Sequence, residues 1–363
     1  MQHSTVRRAA AGTAAAALTL VLGACGAANE QNSAGDGSGL SGTLDGAGAS
    51  SQEAAQQAWR AAFSDKHPDL TINYAPIGSG GGRERFVSGA TDFGGTDAAL
   101  EGEELSGAKE RCGGLVELPV YVSPVAVAFN LDGVDELKLR PATIAKIFDQ
   151  KITQWNDPEI VETNPDVELP DTQITPVNRS DESGTTENFV DYLSTAAPEA
   201  WPHEVSGNWP VPGGEAAKGT SGVKNAIDAG QGTIGYLDAS QVGELGTVAV
   251  GVGEEFVSYS PEAAAKVLDV SERKENQGEH VFAYDLARDT QSSGTYPIVL
   301  VSYGMACTDY DDSETGKLVR SYFEYLLSEE GQQKAAEAAG SAPISQGLRQ
   351  KLRPAVEAIG SGG

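Results

Sequence analysis

Residues 172–193 read TQITPVNRSDESGTTENFVDYL. A β-prone run reaches Arg179, a polar turn follows, and Phe189 and Leu193 fall at i, i+4, the spacing of a buried helical face. The stretch therefore reads as strand, Gly/Ser/Thr-rich turn and helix. Its helix entrance is chemically loaded. A helix N-terminus offers unpaired N–H groups and a partial positive charge, and Ser183 and Thr185 add hydroxyl donors. Arg179 adds a planar fork of donors matched to an oxyanion. Taken alone, the segment reads equally well as a capped helix with a surface Arg179–Asp181 ion pair.

The same grammar occurs twice upstream. In SGTLDGAGASSQEAAQQAWRAAF (41–63) a strand ends at Leu44, and Ala54, Ala58 and Ala62 can line one helical face. In LTINYAPIGSGGGRERFV (70–87), Ile72 and Tyr74 alternate before a glycine-rich turn that carries Ser79. Between this segment and the loaded turn, TDFGGTDAAL (91–100) reads as a short strand at Phe93 and a turn carrying Asp97. Asp97 either faces a ligand or caps a helix opening at Ala98–Leu100. Strands alternating with helices predict an α/β fold with a mostly parallel sheet, whose ligand crevice lies beyond the strand carboxyl ends. GAGASS lacks the third glycine of a dinucleotide fingerprint, and no GxxxxGK[ST] occurs. Two long apolar runs differ from the rest: LVELPVYVSPVAVAFN (115–130) and YPIVLVSYGMACT (296–308). They predict strands crossing between two lobes, one lobe being 41–122 with 291–363 and the other 123–290.

Residues 1–24 have Arg7 and Arg8 ahead of a short apolar run, as in a secretory leader. That run ends in Leu-Gly-Ala-Cys, which resembles a bacterial lipobox with Cys25 as the lipidated residue. Residues 25–40 are small and polar, as a flexible tether should be. The 363-residue chain has a formal charge of −27; losing the two leader arginines leaves 23 basic against 52 acidic residues, or −29. No basic stripe suits nucleic acid. A small anion is not excluded, because charges about 20 Å apart in water interact by only ~0.2 kcal/mol before salt screening. Charge-assisted hydrogen bonds at about 1.5–3 kcal/mol each outweigh that repulsion.

DGAGAS, YAPIGSGGG, TDFGGTDAAL, IFDQKITQWNDP (147–158), NRSDESGTT and GTIGYLD (232–238), in this order, resemble the phosphate-binding protein (PstS) family of bacterial high-affinity phosphate ABC importers. The resemblance covers about residues 41–358. It implies a two-lobed, type II periplasmic-binding-protein-like fold, with the ligand cleft between lobes joined by two hinge strands. It also implies a monomeric, lipid-anchored receptor on the outer face of the bacterial cell membrane. That receptor binds inorganic phosphate and serves the permease subunits and ATPase of an importer, without metal or other cofactor. Carried over by position, Ser50, the Ser51 backbone, Ser79 and Asp97 would bind from one lobe, and Arg179, Ser183, Gly184 and Thr185 from the other. Asp181 would orient Arg179. Two positions depart from the family pattern: Ser50-Ser51 replaces its usual Thr-Phe, and Gly80 replaces the second serine of its usual GSSGG. Phe148 and Trp155 in IFDQKITQWNDP are expected to be packing residues. With Cys25 lipidated, Cys112 and Cys307 form an even pair in an oxidising compartment and are expected to be bonded.

Three rivals remain at this point: a receptor for another tetrahedral oxyanion such as sulfate, a phosphate-ester-handling enzyme, and a structural or adhesive lipoprotein. An enzyme using Ser183 as nucleophile needs a base. His67, His203 and His280 read as surface loop residues, and no metal-ligand spacing is visible.

Overall fold

The computed structural model describes residues 39–275 and 277–362; the leader, Cys25 and nearly all of the 25–40 tether lie outside them. β1 (Gly42–Gly48) leads through a 3₁₀ turn at Ser50–Gln52 into α1 (Glu53–Lys66). β2 (Leu70–Ala75) leads into α2 (Ser79–Val87), and β3 (Phe93–Thr96) through a loop into α3 (Gly102–Cys112). These strands run parallel in the order β2-β1-β3. β1 continues past Leu44 to Gly48, where a Cβ would stand 1.9 Å from the Gly95 carbonyl oxygen. Only glycine lets the two backbones close up there. Two expectations shift. α1 buries Ala55, Trp59 and Phe63 rather than Ala54, Ala58 and Ala62, because the large rings decide which face turns inward. No helix opens at Ala98, since α3 begins only at Gly102.

After β4 (Leu115–Phe129) come β5 (Glu136–Leu139), α4 (Pro141–Phe148), α5 (Pro158–Thr163), β6 (Thr175–Arg179), α6 (Gly184–Ala196), β7 (Glu215–Ala217), α7 (Gly219–Ala229) and β8 (Thr233–Asp238). The hairpin of β9 (Gly246–Val252) and β10 (Glu255–Val257), then α8 (Pro261–Asp269) and the small ladder of β11 (Glu272–Arg273) and β12 (Tyr284–Asp285), precede β13 (Val299–Cys307). Helices α9 (Ser313–Leu326), α10 (Glu329–Ala339) and α11 (Gln346–Glu357) follow. The main sheet path is β2-β1-β3-β13-β4-β8-β6-β7, with β9 joining β4 to β5 and β10.

β4 is the pivot of this two-lobed α/β fold. All 15 of its residues are buried, which explains its mostly apolar sequence, broken by the buried Glu117 and Ser123. Leu115–Pro124 pair antiparallel with β13, and Val125–Phe129 pair antiparallel with β8. β8, β6 and β7 then run parallel. Cys112 is bonded to Cys307, which faces Leu115 in register, so the disulfide closes one end of the β4–β13 ladder. Phe148 and Trp155 are fully buried, and Trp155 Nε1 donates to the Gly232 carbonyl at 3.1 Å. Among the described residues no helix is long and apolar enough to cross a membrane.

Candidate anion-binding site

Four helix entrances meet. Ser50 starts the turn into α1, Ser79 opens α2, Ser183 caps α6 and Gly219 opens α7. Contacts between their side chains and backbones fix the arrangement. Ser50 Oγ lies 3.1 Å from Thr220 Oγ1 and accepts from the Thr220 N–H at 3.1 Å. Asn188 Nδ2, from α6, donates to the Asp97 carbonyl at 2.7 Å. A Cβ on Gly184 would stand 2.6 Å from Ser79 Oγ and 2.8 Å from Asp97 Cβ, so α6 meets α2 and the Asp97 turn with no room for a side chain. Ser50, Ser51, Ser79, Asp97, Arg179, Ser183, Gly184 and Thr185 are all buried here. Converging N-termini place partial positive charge and unpaired N–H groups in one small volume.

The hydrogen-bond inventory leaves protons available. Ser183 Oγ accepts from the Thr186 N–H at 3.2 Å, and Ser79 Oγ accepts from the Asp97 N–H at 3.1 Å. Each hydroxyl therefore keeps its own proton to donate. Thr185 Oγ1 is buried near the Asp97 carboxyl, with no hydrogen bond of ordinary length to it. Ser51 is spent differently: its hydroxyl donates to Asp97 Oδ2 at 2.5 Å.

Arg179 ends β6, with Nε donating to Asp181 Oδ1 at 2.8 Å and Nη2 to Oδ2 at 2.5 Å. Asp181 Oδ1 also accepts from the Gly219 N–H at 3.0 Å, tying the start of α7 to the arginine. Burial pushes the Asp181 carboxyl up, but the bonds and charge of Arg179 outweigh it and hold the group below the ordinary value. Burial dominates at Asp97, whose carboxyl is raised despite hydrogen bonds from Ser51 and Ser302 and the nearby Arg179 charge. Ser302 Oγ, from β13, donates to Asp97 Oδ1 at 2.7 Å. Asp97 caps no helix, because its oxygens are turned to these two serines and α3 starts five residues later.

A neighbouring cleft of about 270 Å³ includes Asp97, Glu101, Glu187 and Asp191 in its lining. Its two cations are paired, Arg288 with Asp191 at 2.9 Å and Lys274 with Glu101 and Asp285. Burial raises the Glu187 carboxyl, as expected where negative charge is disfavoured. An anion is better served among the helix entrances. The sequence reading missed Thr220, Asn188, Ser302 and Arg288. KGTSG (218–222) carried a usable signal for Thr220, since small polar residues lead into a helix there as at the other three entrances.

This arrangement has known relatives. A family model described as PBP superfamily domain matches residues 30–330. Phosphate-binding protein PstS2 of Mycobacterium bovis (strain BCG / Pasteur 1173P2) is 34% identical over 374 aligned residues, covering 97% of this chain and 99% of that protein. The chain belongs to the PstS family of phosphate-binding proteins. Another PstS relative, phosphate-binding protein PstS 3 of Mycobacterium leprae (strain TN), is 35% identical over 328 residues, 87% of either chain. Among solved structures, the high-affinity periplasmic phosphate-binding protein PfluDING, bound with phosphate, aligns with a TM-score of 0.71. It is 22% identical, and the alignment covers 86% of this chain and 93% of that one. The phosphate-binding protein from Stenotrophomonas maltophilia gives a TM-score of 0.66 at 20% identity, covering 86% and 94%. At such identities these structures speak to the fold alone, the two-lobed architecture of a PstS protein.

Proposed function

We propose that this chain captures inorganic phosphate between its two lobes and delivers it to the permease and ATPase of an ABC importer. The observation that carries this reading is Arg179, locked by Asp181, whose carboxylate also takes the Gly219 N–H at one of the converging helix entrances. A buried oxyanion must exchange its water shell for donors, and hydroxyls, backbone N–H groups and one arginine supply them without many free charges. Ser50, Ser51, Ser79 and Asp97 act from one lobe; Arg179, Ser183, Gly184 and Thr185 act from the other. The lobe limits are 41–122 with 291–363, and 123–290, supported by the change of β4 partners at Pro124 and Val125. Export by the 1–24 leader, lipid on Cys25 and the 25–40 tether hold the monomer at the outer face of the cell membrane. A receptor rather than an enzyme fits Ser183, whose oxygen is engaged as a helix cap. Among the described residues Ser183 Oγ makes no hydrogen bond to His67, His203 or His280, so no base is in place beside it.

Calorimetric titration of phosphate-stripped protein with phosphate, arsenate and sulfate tests the reading. Saturable phosphate binding at one site, with sulfate weaker by orders of magnitude, is expected. Absence of phosphate binding, or equal affinity for sulfate, overturns it; turnover of a phosphomonoester would move the chain to an enzyme class.

A further inference from the structure

Arg83, near the middle of α2, belongs to no part of the anion site, yet its side chain is only 6% exposed. Its Nε donates to Glu104 Oε2 at 2.8 Å within the same lobe, and its Nη1 lies 3.4 Å from Thr96 Oγ1. Nη2 reaches across to Glu182 Oε1 at 2.8 Å. Glu182 stands in the turn between Asp181 and Ser183, so this ion pair spans the gap between α2 and the loaded entrance of α6. Backbone follows side chain: the Gly80 N–H approaches the Glu182 carbonyl at 3.4 Å. Gly80 is one of the departures from the family pattern, and the structure gives it a reason. A Cβ there would stand 2.5 Å from Glu182 Cδ and 2.7 Å from Glu182 Cβ. Gly80 makes the room that the Glu182 side chain occupies.

We propose that Gly80, Arg83 and Glu182 form an interlobe latch that holds the lobes closed over the bound anion and sets how slowly it leaves. The proposal rests on the phosphate-receptor reading. When the lobes part, Arg83 keeps Glu104 as its partner while Glu182 passes into water. The cost of opening is then a charge-assisted bond whose carboxylate is already 44% exposed, which makes the latch sensitive to salt. A contact made only in the closed state acts chiefly on the dissociation rate.

Release is measured by loading the protein with radiolabelled phosphate and chasing with unlabelled phosphate at several ionic strengths. Glu182→Gln should speed release about three- to tenfold at low salt and abolish most of its salt dependence, with little change in the association rate. Gly80→Ser should do the same, because its Cβ displaces Glu182. Gly80→Ser added to Glu182→Gly should cost almost nothing more, since the obstructing side chain is gone. Equal release rates and equal salt dependence for wild type and Glu182→Gln would overturn the latch. So would a Gly80→Ser effect of the same size in both backgrounds, which marks damage to α2 instead. If the wild type binds no phosphate, the functional reading fails separately. Small-angle scattering of the ligand-free proteins then decides the latch: a larger radius of gyration for Glu182→Gln at low salt supports it, and identical radii overturn it.

Discussion

Asp97 puts a carboxylate where an anion is to bind, and hydrogen-bond chemistry resolves the conflict. Its two oxygens accept from Ser302 and Ser51, yet each oxygen has a second lone pair. Phosphate near neutral pH retains at least one proton and can donate to Asp97; sulfate has none and meets it lone pair to lone pair. A site built around one such bond discriminates by on the order of 10⁴–10⁵. Asp97→Asn should therefore shrink the ratio of phosphate to sulfate affinity by at least about a hundredfold, chiefly by admitting sulfate. The amide fits because the Ser51 and Ser302 hydroxyls can rotate to accept from it. Titration of both proteins with both anions at one ionic strength checks this, and an unchanged ratio removes Asp97 from the specificity mechanism. At this scale legibility followed chain locality. Arg179, Asp181, Ser183 and Thr185 advertise themselves by standing together before a helix. Asn188 lies inside α6 and Ser302 inside an apolar strand, and only tertiary contact turns them toward Asp97.

Among the elements, strand–turn–helix units were readable because period-2 and period-3.6 patterns meet at glycine-rich turns. The buried face of α1 was also signalled, by Trp59 and Phe63 at i, i+4, whose rings bury more apolar area than the alanines at 54, 58 and 62. The long strands β4 and β13 were visible as apolar runs, but the change of β4 partners near Pro124 is a property of the assembled sheet. The disulfide belongs to this level. Cys112 and Cys307 lie 195 residues apart in sequence, so their bond restricts a large loop of the unfolded chain. Replacing both by alanine should lower unfolding free energy by about 2–4 kcal/mol, with a chain-entropy ceiling near ~5 kcal/mol. Denaturant midpoints with and without reductant measure it. Alkylation without reductant should add no label at either cysteine, and two labels would refute the bond.

For the whole molecule, the acidic balance was legible as composition, while the proposed leader lies outside the described residues. Lipid on Cys25 predicts that Cys25→Ser moves the protein from the membrane fraction to the soluble fraction of its host; unchanged retention would exclude the anchor. Composition cannot say which of the 52 acids are buried, and that governs stability against pH. Burial raises Asp238, at the end of β8, to about 7 and Glu117, on β4, to about 8. Glu117 Oε2 has no hydrogen-bond partner, and at Asp238 burial outweighs the contacts from Ser240 and Ser123. Between pH ~4 and those values the folded chain holds protons that the unfolded chain has released. Each group therefore leaves stability intact below pH ~4 and removes up to about 1.4 kcal/mol per pH unit as pH rises through its own window. Asp181 has the opposite sign: its lowered carboxyl stabilises the fold above the ordinary carboxylate range and loses that contribution in acid. The two buried carboxyls thus favour mild acid over neutrality. Asp238→Asn isolates one contribution, because the amide oxygen can still accept from the Ser240 N–H, 3.0 Å from Asp238 Oδ1, and its N–H₂ can donate to the neighbouring Ser123 hydroxyl. The variant should raise Tm by at least roughly 3 °C at pH 8.5 and leave it unchanged at pH 4. Calorimetric scans of wild type and variant across that range provide the test, and a Tm difference independent of pH would mean that Asp238 is already ionised in the fold.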